Sequence, residues 1–415
     1  MYSAAQQTMR VDSLRCVVDS LLDKNNYTQK KTLTKTVTKT VKSKRGKRGK
    51  RRNHTQTIKV PYTVNVKRKF SVGCCIYDLT ADSMLYVFNA DKMLIPASTQ
   101  KLYVAAAMLE KFGVDYSFDT KTFTDGKISV DSAGRRYLDG NIYISTSCDP
   151  TLDKYSANKI LRDIESFDFD SINGQIIQCV TPKTQKYKYP EDVFSSYIAY
   201  MLAKDSVAIQ SHNASESSIE PNDGWRCISR MSTPLEDVLE RMLRKSNNTY
   251  AECVLLNLCK NDSDWTYSGC KQVVCEMVNK IYWKYNQEDC NISESYYYIQ
   301  DGSGLSHSNK TSARSQVDLL RYIYSNKTLF NTIYGHLPVA GVSGTLSRRM
   351  KDGLAYGNVH AKTGTVNFTK TLSGYVSTAN NHRLAFSILV NDCSDAAFAK
   401  RLQDKICELL ASIEL

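Results

Sequence analysis

The chain has 415 residues, of which 42% are hydrophobic and 23% are charged, and its formal net charge is +13. This length and composition predict a globular protein of two domains, or one large domain that carries an insertion. No run of eighteen apolar residues and no cluster of cysteine and histidine at zinc spacing occurs, so the sequence predicts neither a transmembrane helix nor a metal site.

Residues 1–23 form the first segment of the chain, and their apolar residues recur at helical spacing. An amphipathic helix packed on the rest of the protein is therefore expected over about 11–23. A basic start followed by an uninterrupted apolar core is absent from this stretch, so no signal peptide is predicted. The apolar residues that define the pattern are Val11, Leu14, Val17, Val18, Leu21 and Leu22.

Residues 24–69 carry the positive charge of the chain. This segment holds 17 lysines and arginines and no acidic residue, which leaves the remainder with a net charge of −4. It is rich first in Thr and Lys and then in Lys, Arg and Gly, a composition typical of a disordered or solvated loop. Docking on an anionic envelope polymer or a membrane surface is the functional alternative. Nucleic acid is not expected, because aromatic residues occur only at Tyr27 and Tyr62 and no binding motif is found.

Residues 70–118 are expected to form the first part of the main domain. Two strand-like runs are joined by a turn at 81–83 and lead into a helix that contains Ser98. This helix is predicted to end near Phe112, because Gly113 is a typical residue just after a helix.

Residues 119–228 are predicted to be a small inserted α+β domain, because short strand-like and helical stretches alternate there with Gly and Pro turns. Residues 229–415 are expected to complete the main domain. They begin with two helical stretches that are interrupted around 245–249. Three successive antiparallel strands follow, the last two joined by the turn at 380–381, and a final helix covers about 395–413.

Three short motifs contain the candidate catalytic residues. In chain order they are Ser98-x-x-Lys101, Ser246-x-Asn248 and Lys362-Thr363-Gly364. Each one is weak alone, and a serine at the start of a helix is often only a capping residue. Their order, on a helix, an interhelical loop and a strand, is typical of serine β-lactamases and penicillin-binding proteins.

The spacing of these residues fits nucleophilic catalysis by serine. Lys101 lies on the same helix face as Ser98 and is predicted to be its base. A lysine can accept a proton only if burial and a neighbouring cation lower its pKa, and Lys362 is expected to supply that cation. Ser246 is predicted to bridge the two lysines and to relay a proton to the leaving amine, while Asn248 holds the substrate amide.

The residues around Lys362 are expected to complete the site. Gly364 is predicted to let the substrate backbone lie close to the strand. The backbone N–H groups of Ser98 and Thr365 are candidates for an oxyanion hole. His360 should share the strand face of Lys362, and we interpret it as a residue at the rim rather than as a catalytic base.

Several longer stretches resemble one family. These stretches are "PASTQK" at 96–101, "DGSGLS" at 301–306, "LPVAGVSGTL" at 337–346 and "AKTGT" at 361–365. Together they resemble the low-molecular-mass class C penicillin-binding proteins, which are D-alanyl-D-alanine carboxypeptidases and endopeptidases of bacterial cell-wall metabolism. The resemblance covers about residues 70 to 415 and the N-terminal helix.

The resemblance implies an α+β fold of the β-lactamase and transpeptidase type. It has an antiparallel sheet with helices on both faces and a small inserted α+β domain. The implied reaction is acylation of Ser98 by a peptide that ends in D-Ala-D-Ala, release of D-Ala and hydrolysis of the acyl-enzyme, without metal or cofactor. Thr363 and Thr365 would bind the substrate carboxylate and Leu305 would line the site. Some members also cut cross-links, so endopeptidase activity stays open.

The partners implied by the resemblance are peptidoglycan stem peptides, with β-lactam antibiotics as covalent inhibitors. The implied location is the periplasm or cell envelope, although no signal peptide is visible. Two alternatives remain open from the sequence: a β-lactamase-like hydrolase, and an inactive wall-binding protein of the same fold. The stem-peptide residue that is accepted and the oligomeric state also stay open.

Overall fold

The structure is a computed structural model. It describes residues 9–22, 26–42, 53–179, 189–204, 207–209, 214–217, 224–260, 265–286 and 296–415.

The described elements include both helices and strands along the whole chain. The helices are α1 Val11–Leu22, α2 Lys101–Phe112, α3 Lys154–Glu165, α4 Glu191–Lys204, α5 Leu235–Leu239, α6 Asn248–Asn257, α7 Tyr267–Asn286, α8 Ala313–Tyr324, α9 Lys327–His336 and α10 Ala396–Ser412. Short 3₁₀ or π turns cover Ala97–Gln100, Glu240–Arg244 and Gly344–Leu346. None of the helices within the described ranges has the length and apolar content to cross a membrane.

The strands complete the list of elements. They are β1 Met9–Arg10, β2 Asn26–Lys42, β3 Asn53–Lys69, β4 Ser71–Asp78, β5 Ser83–Phe88, β6 Ser117–Thr124, β7 Lys127–Val130, β8 Arg136–Asp139, β9 Ile142–Ser145, β10 Ser171–Ile172, β11 Ile176–Cys179, β12 Ser215–Ser217, β13 Arg226–Pro234, β14 Tyr297–Tyr298, β15 Lys310–Thr311, β16 His360–Val366, β17 Thr369–Ser377, β18 Arg383–Asn391 and β19 Ile413–Glu414.

A five-stranded antiparallel sheet is the centre of the molecule. Its strand order is β16-β17-β18-β4-β5, so the strands near the C-terminus pair with the first strands of the main domain. The strands predicted on either side of the turn at 81–83, and the three predicted near the end of the chain, are all present. Both β17 and β18 are buried along almost their whole length, as expected for strands whose two faces are both covered.

Helices cover both faces of this sheet, which confirms the predicted fold class. Side chains of α2 and α5 to α8 form one hydrophobic cluster, and α10 and α1 contribute to a second. The adjacent residues Cys74 and Cys75 of β4 are both fully buried, and they belong to different clusters. Their opposite directions follow from the two-residue period of a strand. Val18 and Leu22 of α1 join the second cluster, so the predicted N-terminal helix packs on the body.

Residues between α2 and α5 form a smaller unit with its own core. The sheet order there is β12-β11-β9-β6-β13, and a three-stranded sheet of β10, β8 and β7 lies beside it. Ile142, Ile160 and Phe194 belong to a separate hydrophobic cluster. The strands that lead into and out of this unit span Ser117–Thr124 and Arg226–Pro234. The division of the chain at 119 and 228 stays a prediction.

The residues described within 24–69 form strands and not the loop that composition suggested, although the side chains described there are mostly exposed, as expected for a solvated segment. β2 and β3 pair over 17 residues each in a two-stranded antiparallel sheet. Composition alone does not show why strands form here, but the order of the residues does. Thr occupies every second position from Thr32 to Thr40, and apolar residues occupy every second position from Ile58 to Val66. β-branched residues with a period of two favour a strand. We call β2 and β3 together the basic ribbon; residues 43–52 between them lie outside the described residues.

Candidate active site

Ser98 lies in the short turn Ala97–Gln100 that runs directly into α2. Ala97 has a φ of +47°, a conformation that L residues rarely adopt, and it introduces a sharp change of direction just before the serine. The half-buried Ser98 side chain faces a cleft. No side-chain capping bond forms at either helix start in this segment. The structure therefore does not support the reading of Ser98 as a plain capping residue.

Lys101 is fully buried, and its ammonium group is surrounded by oxygen atoms. Its Nζ lies 3.1 Å from Ser98 Oγ, 2.8 Å from Asn248 Oδ1 and 2.5 Å from the backbone oxygen of Ser303. The helix spacing predicted the contact between Lys101 and Ser98. Asn248 comes from a position 147 residues further along the chain, at the start of α6.

Lys362 enters the cleft from β16, on the opposite wall. It is also fully buried, and its Nζ donates a hydrogen bond to Ser246 Oγ at 2.7 Å. Ser246 has a φ of +60° in the tight connection before α6. Its hydroxyl contacts Lys362, whereas the second contact expected from the sequence, to Lys101, is not formed here.

Burial is the main reason why both lysines titrate abnormally. It lowers the pKa of Lys101 from 10.5 to about 7, against the opposing effect of the carboxylates Glu252 and Asp301. The pKa of Lys362 lies well below its ordinary value, first because of burial and then because of the charge on Lys101. The sequence predicted that burial and the neighbouring cation of Lys362 would together lower the pKa of Lys101. The structure makes burial the dominant cause.

Two carboxylates near Lys101 were missed from the sequence. Glu252 Oε1 accepts a hydrogen bond from the backbone N–H of Ser303 at 2.8 Å. Asp301 accepts bonds from the N–H groups of Gly304 and Ser306, both at 2.8 Å, and so shapes the loop that presents the Ser303 carbonyl to Lys101. One signal was available: Glu252 is an acid in the apolar sequence of α6, and buried acids need a partner.

The cleft itself has a volume of about 330 Å³. It brings together most of the predicted residues with several that no motif identified. The lining residues are Ser98, Ser246, Asn248, Thr345, Arg349, Thr363, Gly364, Thr365, Lys370, Lys400 and Gln403. Lys101 and Lys362 lie beneath this surface, within hydrogen-bond distance of Ser98 and Ser246 respectively.

Three predicted residues have other surroundings than the sequence suggested. Leu305 is 44% exposed and does not line the cleft. A Cβ atom on Gly364 would collide with Thr371 Oγ1 on the neighbouring strand, so close packing requires this glycine whether or not substrate is bound. His360 stacks on Tyr334 with ring centroids 4.0 Å apart. Its burial lowers its pKa.

Comparison with known proteins gives a family match over most of the chain. The profile of the D-Ala-D-Ala carboxypeptidase 3 (S13) family matches residues 65–224 and 190–413. Penicillin-sensitive carboxypeptidase A of Dictyostelium discoideum is 30% identical over 214 residues, which is 49% of this chain and 38% of that protein. D-alanyl-D-alanine carboxypeptidase DacB of Haemophilus influenzae is 22% identical over 430 residues, covering 78% of this chain and 86% of the relative.

Solved structures show the same fold. Penicillin binding protein 4 of Haemophilus influenzae superposes with a TM-score of 0.68 at 18% identity, covering 82% of this chain and 97% of that one. A predatory endopeptidase of Bdellovibrio bacteriovorus, in complex with an immunity protein, has a TM-score of 0.55 at 18% identity and covers 82% and 93% of the two chains. The basic ribbon lies almost wholly outside the family match, which begins at residue 65.

Proposed function

This chain belongs to the D-Ala-D-Ala carboxypeptidase 3 (S13) family of serine peptidases and is an enzyme of that class, and we propose that Ser98 is the nucleophile that forms its acyl-enzyme. One observation carries the assignment: the Nζ atom of Lys101, with a pKa of about 7, lies 3.1 Å from Ser98 Oγ. A neutral amine at hydrogen-bond distance from a serine hydroxyl is the arrangement that general-base activation needs.

The proposed reaction begins when neutral Lys101 takes the proton of Ser98 Oγ. The oxygen then attacks the carbonyl carbon of the peptide bond between two D-Ala residues, and negative charge develops on the carbonyl oxygen. The backbone N–H groups of Ser98 and Thr365 are the donors proposed for this oxygen. One such donor typically contributes about 2.7–4 kcal/mol to catalysis.

Collapse of the tetrahedral intermediate breaks the C–N bond and releases D-Ala. Its amine needs a proton, and we propose that Ser246 delivers it. Lys362 Nζ, 2.7 Å from Ser246 Oγ, replaces the proton that the serine gives away. Water then attacks the ester on Ser98, and the acid product leaves. The proton that Lys101 took from Ser98 passes through solvent in the cleft to Lys362, which returns both lysines to their starting states. Lys101, at hydrogen-bond distance from Ser98 Oγ, then takes a proton from the attacking water and gives it to Ser98 Oγ as the ester bond breaks.

Substrate contacts are assigned to residues that border the cleft. Thr363 and Thr365 would bind the terminal carboxylate, and Gly364 between them keeps the strand accessible to the peptide backbone. Asn248 would hold the substrate amide, although in this structure its side-chain oxygen accepts from Lys101. Stem peptides of peptidoglycan are the proposed substrates. β-Lactams are the proposed covalent inhibitors, and the Haemophilus structure has been solved with one bound.

A fluorescent penicillin tests the nucleophile directly. We expect the purified protein to form a stable covalent band, and Ser98→Ala to form none. Ser83→Ala, which changes an exposed serine at the start of β5, is the matched control and should label fully. Release of D-Ala from a peptide ending in D-Ala-D-Ala should follow the same pattern. A cross-linked dimer of stem peptides, offered in parallel, tests the endopeptidase activity that the sequence left open.

Three outcomes would contradict the proposal. Rapid destruction of the drug without a lasting band would favour a β-lactamase-like hydrolase. Folded protein that neither labels nor releases D-Ala would favour a wall-binding protein of the same fold. Labelling of Ser98→Ala at the wild-type rate would move the nucleophile to another residue.

We place the enzyme at the cell envelope and propose that the basic ribbon docks there on an anionic lipid surface. Ile58, Val60 and Tyr62 alternate along β3 and are 40%, 43% and 44% exposed. The register pairs Tyr62 with Leu33 and Val60 with Lys35, so apolar and cationic residues share one face. A membrane interface offers both anionic headgroups and an apolar phase. A soluble polyanion offers only the charge.

A further inference from the structure

One side of the cleft carries positive charge that the proposed reaction does not use. Arg349, Lys370 and Lys400 line the same cleft as Ser98 and Thr365. They come from different parts of the chain: a loop before β16, the start of β17 and the first turns of α10. No sequence motif identified any of the three.

Arg349 is already neutralised and has a structural role. Its Nη2 lies 2.6 Å from Asp404 Oδ1 and donates further bonds to the side-chain oxygen of Gln403 and the backbone oxygen of Lys400, at 3.1 and 3.2 Å. These contacts hold α10 against the loop. The arginine and the aspartate cancel in charge, so the excess charge belongs to the two lysines.

Lys370 and Lys400 have no counter-ion among the residues that the structure describes. Lys370 is only 8% exposed, and its Nζ donates a 3.2 Å hydrogen bond to the backbone oxygen of Thr369. Burial, and then the charge of Lys400, lower the pKa of Lys370. A nearly buried cation beside a second cation is unfavourable. A bound anion in the cleft would relieve this cost.

The position of Lys370 relates these charges to the substrate. In the sheet, Lys370 is directly opposite Thr365. Residues opposite each other on antiparallel strands point to the same face, with Cβ atoms about 4.5–5.5 Å apart. Since Thr363 and Thr365 are assigned to the terminal carboxylate, the residue that bears this carboxylate lies beside Lys370. That residue is the one that leaves when Ser98 is acylated.

We propose that Lys370 and Lys400 form a subsite for a second carboxylate, carried on the side chain of the leaving residue. D-Ala has only a methyl group there and would leave the two lysines unused. The preferred bonds are then those between D-Ala and a D-amino acid with an acidic side chain. This inference rests on the proposed function, from which it takes the direction of the bound peptide.

The test compares two peptides that differ only in charge. Both are N-acylated and end in D-Ala-D-Glu or in the isosteric D-Ala-D-Gln. We expect the wild-type enzyme to cleave the D-Glu peptide with a kcat/KM about tenfold or more above that of the D-Gln peptide, because a hydrogen bond to a charged group typically contributes that much. Lys370→Met should lower kcat/KM for the D-Glu peptide to about the value for the D-Gln peptide, and so remove this preference. Lys154→Met, on the exposed surface of α3, is the matched control and should keep the preference.

Equal cleavage of the two peptides by the wild-type enzyme would overturn the subsite. So would an equal loss for both peptides in Lys370→Met, because Lys370 would then serve the terminal carboxylate. The affinities of Ser98→Ala for the two peptides, measured without cleavage, separate a failure of this inference from a failure of the proposed function. If no peptide is cleaved, the proposed function fails, and a preference of Ser98→Ala for the D-Glu peptide still supports the subsite. Equal affinities would refute it in either case.

Discussion

The protonation state of Lys101 determines when Ser98 can react. Lys101 accepts a proton only in its neutral form, and its pKa of about 7 makes that form dominant above pH 7 rather than above pH 10. We therefore expect acylation of Ser98 by a penicillin to speed up about tenfold per pH unit below 7 and to level off above about pH 8. Stopped-flow measurement of acylation between pH 5 and 9 checks this profile.

Lys101→Arg is the matched variant for this prediction. A guanidinium keeps the positive charge at every accessible pH, so it cannot act as base and should give no acylation across the range. Lys101→Met should also be inactive, and it should lower the melting temperature, because it leaves Asn248 Oδ1 and the backbone oxygen of Ser303 without this donor. A rate in the wild type that falls as pH rises, or that changes only near pH 10, would contradict Lys101 as the base.

At the scale of elements, the loop 301–306 supports the turn that contains Ser98. Gly304 has a φ of +80°, and a Cβ atom there would collide with the backbone oxygen of Ala97. Gly304→Ala must therefore displace either the nucleophile or the loop that presents the Ser303 carbonyl to Lys101. We expect it to lower both the melting temperature and the rate of penicillin acylation, the latter more than tenfold by analogy with other small misplacements of catalytic groups.

Gly357 supplies the control for this prediction. Its φ is +68°, but a Cβ atom there meets no atom within 4 Å. Gly357→Ala should show only the cost of the left-handed conformation, about 1 kcal/mol, with full acylation. If the two variants acylate equally well, the packing of Gly304 on Ala97 is not needed for the site.

Elements with strong local signals could be predicted from the sequence. The helix after Ser98 ends at Phe112, as Gly113 indicated, and the final strands and helix lie where their periodicity placed them. The contact between Ser98 and Lys101 follows from helix geometry alone. Lys362 and Asn248 could be placed beside them because three weak motifs occur in one order.

Features that depend on contacts distant in sequence could not be predicted. Glu252 accepts a hydrogen bond from the backbone N–H of Ser303, 51 residues further along the chain, and nothing in its local sequence shows that it is buried there. Lys370 lies opposite Thr365 only because of the register between two strands. Leu305 was assigned to the cleft from the resemblance. The direction of a loop side chain depends on the backbone conformation before it, and Gly304, which directly precedes Leu305, has a positive φ.

At the scale of the whole molecule, the segment with most of the positive charge and the catalytic site lie in separate parts of the chain. Residues 24–69 contain 17 basic residues and no acid, whereas the rest of the chain has a net charge of −4. Each strand of the basic ribbon, at 17 residues, is roughly 55 Å long. A cationic ribbon of this length, attached to a mildly acidic body, is suited to attach the enzyme to an anionic surface.

The proposed docking of the basic ribbon on lipid is tested by co-sedimentation of the full chain with vesicles. We expect binding to vesicles of phosphatidylglycerol and phosphatidylcholine, little binding to phosphatidylcholine alone, and weaker binding at high salt. Serine at Ile58, Val60 and Tyr62 together should weaken binding about tenfold or more, because it removes the exposed apolar row. Serine at Thr57 and Thr36, which occupy the opposite face, is the matched control and should bind normally.

Tight binding to polyphosphate that the three apolar substitutions leave unchanged, with no preference for vesicles, would show a polyanion site instead. Loss of a dimer in the apolar variant would show that a second copy of the chain covers this face.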